Sequence, residues 1–179
     1  MILSFFRKDV ALEAGEALYA AAVEQARSAP LYADFGVPDT VEGRFEMIVI
    51  HVYLILRCLR EDTPRAKKTG QKLFDAMFQN MDDSLRELGV GDLSVGRKIR
   101  TMAENFYGRI KAYEETLTSK AAEQDLAKSL GRNVYGDEDA KGSSDLAKYV
   151  TKTAAFIEAQ PAARIAGGIV QFPELMGTS

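Results

Sequence analysis

Val95, Ile99, Met102, Phe106, Ile110, Tyr113 and Leu117 follow one another at intervals of 4, 3, 4, 4, 3 and 4 residues. That spacing holds all seven on one face of an α-helix, whereas in a strand it would scatter them over both faces. The three-and-four rhythm recurs along most of the chain, and no clear two-residue alternation appears. The expected fold class is therefore all-α, an irregular bundle of about six helices. No internal repeat is apparent, so a solenoid is not expected. The 179 residues form one expected domain, 1–179, long enough to bury roughly 70% of its unfolded surface.

The pattern places a first helix at about Asp9 to Ser28, with Leu12, Leu18, Tyr19, Ala22, Val23 and Ala26 facing inward. An irregular loop, 29–38, follows; its Leu31, Tyr32 and Phe35 suggest that it packs onto the body of the protein. The central helix is expected over about 39–60, with Asp39 as N-cap and Glu42 completing a capping box. Its polar side chains, Glu42, Glu46, Arg57 and Arg60, gather in one strip beside Tyr53, and most of the rest is apolar. A helix apolar most of the way round is enclosed by protein. Arg44, His51 and Cys58 stack on another line, and Asp34 is the expected partner of Arg44.

The third helix starts at Thr63 with Pro64 in its first turn. Its face is Ala66, Leu73, Phe74, Met77, Phe78, Met81, Leu85 and Leu88, and Gly89 stops it. Asp92 or Ser94 is expected to cap the fourth helix, with a close approach at Gly96. A fifth helix, from about Ser119 to Leu130, is expected to close at Gly131, and a sixth, from Ser144 to Gln160, to stop at Pro161. Residues 161–179, Gly-rich and largely irregular, are expected to wrap the surface or fray.

Composition excludes several chemistries. A lone cysteine, Cys58, allows no internal disulfide and no Cys-rich zinc site, and a lone histidine, His51, allows no multi-histidine site. On an apolar helix His51 reads best as a buried, hydrogen-bonded structural residue and Cys58 as a small packed one. Met47, Met77, Met81 and Met102 read as core. Gly89, Gly91 and Gly96 lie between two helices, whereas a dinucleotide fingerprint needs a preceding strand. No catalytic set, metal or cofactor is expected.

The net charge of −3 gives no global drive toward nucleic acid, and DNA is not an expected partner. Two local basic stretches, 57–72 and 95–111, support the alternative of a ribosome- or RNA-associated adaptor. Within the second, Lys98 and Arg109 project onto the rim of the apolar stripe, where a cation should meet a carboxylate or a partner. The most apolar stretch, Phe45 to Leu59, is 15 residues long and holds Glu46, His51 and Arg57, too short and too polar to span a bilayer. The apolar N-terminal stretch 1–6, followed by Arg7 and Lys8, is expected to touch a membrane surface or pack on the first helix.

Residues 31–48, LYADFGVPDTVEGRFEMI, resemble the hallmark segment of the ubiquinol–cytochrome c chaperone family. His51 to Leu59, GQKLFDAMFQNMDDSLRELGVGDLSVGRKIRTMAENFYGR at 70–109 and RNVYG at 132–136 agree, so the family-like core spans about 18–136. The resemblance implies a non-enzymatic helical assembly chaperone of respiratory complex III that binds newly made cytochrome b. For the mitochondrial relative it implies a small partner chaperone and the ribosome near the tunnel exit. This chain looks more like a bacterial member, expected in the cytoplasm or as a peripheral protein at the inner face of the cytoplasmic membrane. The expected client surface combines Tyr32, Phe35, Arg44, Lys98, Tyr107 and Arg109. Charge reversal at Lys98 and Arg109 is expected to abolish capture with helicity intact. Gly36, Pro38, Asp39, Gly43, His51, Asp92, Gly96 and Gly108 are the structural motif positions.

Overall fold

Asp9 accepts the Ala11 N–H at 3.2 Å and so starts α1 (Val10–Ala26). A computed structural model describes residues 9–60, 63–119 and 122–175; the membrane-facing expectation for 1–6 lies outside them. Six helices of nine or more residues form the body among the described residues. They are α1, α3 (Val41–Cys58), α4 (Pro64–Glu87), α5 (Asp92–Leu117), α6 (Ala122–Leu130) and α7 (Ser143–Glu158). Two five-residue helices, α2 (Ala29–Ala33) and α8 (Ala162–Ala166), and a π-helical turn, Gly131–Tyr135, complete it. No strand occurs among the described residues. The fold is all-α, as the apolar spacing requires.

Helix α3 is the axis of the core. Met47, Val49, Ile50, Val52, Tyr53, Leu54 and Ile55 are buried on it, and α1, α4, α7, α8 and the π turn pack around it. Each such aliphatic side chain contributes about 1.5–3 kcal/mol on leaving water. Met77 on α4, Phe106 and Tyr113 on α5, and Leu146, Val150 and Ile157 on α7 extend the core. Met47, Met77 and Met81 are buried and Met102 is packed against the core, as expected. Helix α1 lies so close to α4 that a Cβ on Gly15 would sit 2.6 Å from the Lys72 carbonyl carbon.

His51 is fully buried. Its Nδ1 donates to the Met47 carbonyl at 2.7 Å, and Nε2 accepts from the Tyr149 hydroxyl at 2.8 Å. Burial pushes its pKa down to about 4, so the ring is neutral. The hydroxyl of Tyr149 also accepts from the Gln25 amide at 3.0 Å, which ties α1, α3 and α7 together. The histidine is thus a structural junction.

Several local expectations give way to packing. Thr40, not Asp39, caps α3: its Oγ1 accepts the Gly43 N–H at 3.1 Å. Asp39 turns instead to Arg44, whose expected partner was Asp34, at 2.5 Å. Gly43 is held against the entering chain, since a Cβ there would lie 2.0 Å from the Pro38 carbonyl oxygen. The expected loop 29–38 contains α2, which buries Leu31. Leu12 and Leu88, expected inward, are 41% and 72% exposed, because α1 and α4 meet their neighbours along a narrower face. Gly91, not Asp92 or Ser94, is the N-cap of α5. Gly131 does not close α6; the chain continues through the π turn to Gly136, whose φ of 71° ends it. The 161–175 segment wraps: Pro161 starts α8, and Ile165 and Ala166 are buried.

Candidate functional site

Helix α5 carries three of the six expected client residues, Lys98, Tyr107 and Arg109. Its inward line, Val95, Phe106 and Tyr113, is buried. Lys98 and Tyr107 are nine residues apart, which at 3.6 residues per turn sets them about 180° apart on opposite sides. They therefore belong to two different surfaces.

On the Lys98 side, Arg109 turns inward to Glu46 of α3, Nη2 to Oε1 at 2.5 Å. Glu46 belongs to the strip expected to be polar, yet it is buried. Burial pushes its carboxyl up to about 7 against the pull of the Arg109 guanidinium. Among the described residues Glu46 Oε2 and Arg109 Nε find no hydrogen-bond partner. The rest of the strip also meets α5: Arg57 and Arg60 lie 3.2 and 3.1 Å from the Glu114 carboxylate, and the Tyr53 hydroxyl donates to it at 2.7 Å. Partial burial works against that carboxylate, yet the Tyr53 hydroxyl and the two guanidiniums hold it below its usual range. The strip is an inter-helix polar seam rather than a solvated face. Arg109, expected at the client surface, is part of that seam.

Above this pair runs an open groove of about 370 Å³, lined by Asn105, Gly108, Arg109, Ser129, Arg132 and Asn133. Gly96 and Gly108 are exposed, and a Cβ at either would meet nothing within 4 Å. The close approach expected at Gly96 is therefore absent among the described residues. Asp92, in the first turn of α5, bonds Arg86 across the α4–α5 turn.

On the other side of α5, Tyr107 is 60% exposed. Its ring centroid lies 5.7 Å from Phe74 and 5.9 Å from Phe106. Phe74 stacks on Phe78, one turn along α4, at 4.5 Å. Phe74 and Phe78 are half-buried. Together these rings form an aromatic seam between α4 and α5 that reaches the surface. The sequence pattern puts Tyr107 on a surface with Lys98 and Arg109 rather than in this seam, and it puts Phe74 and Phe78 on the core face of α4 with Met77 and Met81.

Tyr32 and Arg44 lie elsewhere, lining an open recess of about 540 Å³ with Arg27, Ala29, Ala33 and Asp39. The Tyr32 hydroxyl donates to the Ala26 carbonyl at 2.7 Å. Phe35 packs on Tyr149 at 5.9 Å, and its carbonyl accepts from the Tyr135 hydroxyl at 2.9 Å. Gly36 takes a φ of 66° in this segment. The six expected client residues thus fall into five places rather than one face: Tyr32 and Arg44 in the recess, Phe35 against Tyr149, Arg109 in the buried pair, Lys98 exposed and Tyr107 in the aromatic seam.

The basic stretch 57–72 is largely engaged: besides the seam, Lys68 meets Asp9 at 2.9 Å and Lys72 meets Asp75 at 3.5 Å. Among the described residues no group of three or more His, Cys, Asp or Glu is gathered as metal ligands, and no helix is long and apolar enough to cross a membrane.

The family profile described as Ubiquinol-cytochrome C chaperone matches residues 33–172. Ubiquinol-cytochrome-c reductase complex assembly factor 1 of Xenopus laevis is 23% identical over 143 residues, 79% of this chain and 70% of that protein. The Drosophila melanogaster counterpart is 25% identical over 151 residues, 80% of this chain and 58% of its own. The Mus musculus counterpart is 23% identical, and the match spans 48% of its length. The chain thus spans about half to two thirds or slightly more of these relatives. The crystal structure of the Cbp3 homolog from Brucella abortus shares the fold with a TM-score of 0.84 and 34% identity, covering 97% of each chain. A profile match over most of its length and a common fold at that identity lead to one conclusion: the chain belongs to the ubiquinol–cytochrome c chaperone family.

Proposed function

We propose that the protein is a non-catalytic assembly chaperone for the ubiquinol–cytochrome c reductase complex, holding newly made cytochrome b at the α4–α5 aromatic seam. One observation carries the placement: Tyr107 is 60% exposed while its ring packs on half-buried Phe74 and buried Phe106. An apolar client helix laid along such a seam gains aromatic contact without the chaperone having to open. The lone histidine is sealed in the core, which supports the non-catalytic reading. The names of the assembly-factor relatives supply the respiratory complex as the destination.

The alternative adaptor using 57–72 and 95–111 is weaker, because most of the first stretch, Arg57, Arg60, Lys68 and Lys72, already meets carboxylates, as do Arg109 and Lys111 of the second, which leaves that second stretch only the short run Arg97, Lys98 and Arg100. A small partner chaperone and the ribosome belong to the same proposal as further partners, as does a position at the cytoplasmic face of a bacterial membrane. The test is capture of cytochrome b from solubilised membranes by wild type and by Tyr107→Glu. The variant should lose capture and keep its circular dichroism. Full capture by Tyr107→Glu places the client elsewhere.

A further inference from the structure

The turn joining α4 to α5 exposes two leucines to water. Leu88, at the end of α4, is 72% exposed, and Leu93, in the first turn of α5, is 94% exposed. Half-buried Val90 lies between them. The turn is braced: the Val90 N–H donates to the Leu85 carbonyl at 3.0 Å, and Arg86 reaches both Asp82 and Asp92. Nothing in the fold requires Leu93 to be apolar, and a leucine held in water on a braced turn is a standing hydrophobic cost.

The charges behind the turn favour one kind of occupant. Arg97, Lys98 and Arg100 are exposed on the first turns of α5, and among the described residues no carboxylate pairs with any of them. Over residues 86–100 four cations face Glu87 and Asp92, a local net charge of +2 in a chain of −3. Of those two acids, Asp92 is already engaged by Arg86. A short apolar tip with unpaired cations one to two turns behind it matches an anionic bilayer. The leucines reach the acyl boundary and the guanidiniums meet the headgroups.

We infer that the α4–α5 turn is a membrane-docking tip, with Leu88 and Leu93 entering the interface of an anionic bilayer and Arg97, Lys98 and Arg100 binding its headgroups. Two leucines give shallow, reversible attachment, and the electrostatic part makes it salt-sensitive. Docked in this way, the protein carries its aromatic seam a few helical turns above the bilayer, but the inference does not depend on what the seam binds.

The test is flotation of the full chain with vesicles of equimolar phosphatidylglycerol and phosphatidylcholine, and with phosphatidylcholine alone. Wild type should float with the anionic vesicles at low salt, release at high salt and ignore the neutral ones. Leu88→Ser/Leu93→Ser should lower the bound fraction about tenfold, and Arg97→Glu/Arg100→Glu should abolish binding. Both variants should retain cytochrome b capture in a vesicle-free assay, since neither touches Tyr107, Phe74 or Phe78. Failure of wild type to float, binding unchanged in both variants, or equal binding to neutral vesicles would overturn the inference. Flotation as expected with no cytochrome b capture would leave the docking tip standing and remove the client reading.

Discussion

Arg109→Glu would set a second carboxylate against Glu46 in a place where one oxygen already lacks a partner. Losing one member of a buried pair costs about 3–5 kcal/mol, so the variant should unfold at a much lower urea concentration; an unchanged midpoint would contradict the structural role. Charge reversal at this position therefore cannot report on client binding with the fold intact, as the sequence alone suggests it would. His51 supplies a second prediction. Its folded pKa of about 4 lies below the ordinary imidazole value. Neutral burial therefore gives stability that is complete above about pH 6.5 and is lost as pH falls toward 4, worth about 3 kcal/mol across that window. Glu46, raised to about 7, works in the opposite direction. Its contribution is complete below about 4.5 and is lost as pH rises through 7. Urea midpoints at pH 7, 5.5 and 4 should therefore fall more steeply for wild type than for His51→Gln. Parallel slopes would mean that the histidine is not the acid-sensitive group. The histidine's burial was legible in its apolar helix. Its partner, Tyr149, lies 98 residues away, and no local spacing signals it.

At the start of α3, Thr40 and Asp39 compete for one role, and the structure gives it to Thr40. Thr40→Ala should cost about 1 kcal/mol in thermal or urea unfolding, and Asp39→Ala should cost less, because its ion pair with Arg44 is exposed to solvent. The reverse ranking would restore Asp39 as the cap. On α5, Gly96→Ala and Gly108→Ala should each raise stability by about 1 kcal/mol, since each opens on empty space in mid-helix. A loss of stability would mean that the position does not tolerate a side chain. The main helices were readable because each carries its own apolar face, and the ends of α4 were readable because Thr63, Pro64 and Gly89 are local signals. The closure at Gly131 was misread because its neighbours are set by tertiary packing: a Cβ there would lie 2.6 Å from the Asp137 and Glu138 carbonyl oxygens. The polar strip of α3 was visible as a pattern, but whether it faces water or Arg109 and Glu114 depends on the position of α5.

Across the molecule, α3 is enclosed by helices, α4 packs chiefly on α1 and α5 on α6 and α4, and the α4–α5 pairing brings four aromatic rings together. The polar bonds Glu46–Arg109 and Tyr53–Glu114 tie α5 to α3. An aromatic seam between helices suits temporary holding: it offers contact area without the cost of ordering loops. The six residues expected to act together were separated because helical projection gives direction around one helix and says nothing of which neighbour each rim meets. The most direct test is quantitative capture of cytochrome b from solubilised native membranes by wild-type protein, Tyr107→Glu and Arg44→Glu, each first shown to retain its helicity. The account predicts strong enrichment by wild type and Arg44→Glu and near-background recovery by Tyr107→Glu. Equal recovery by all three, or loss confined to Arg44→Glu, would contradict it.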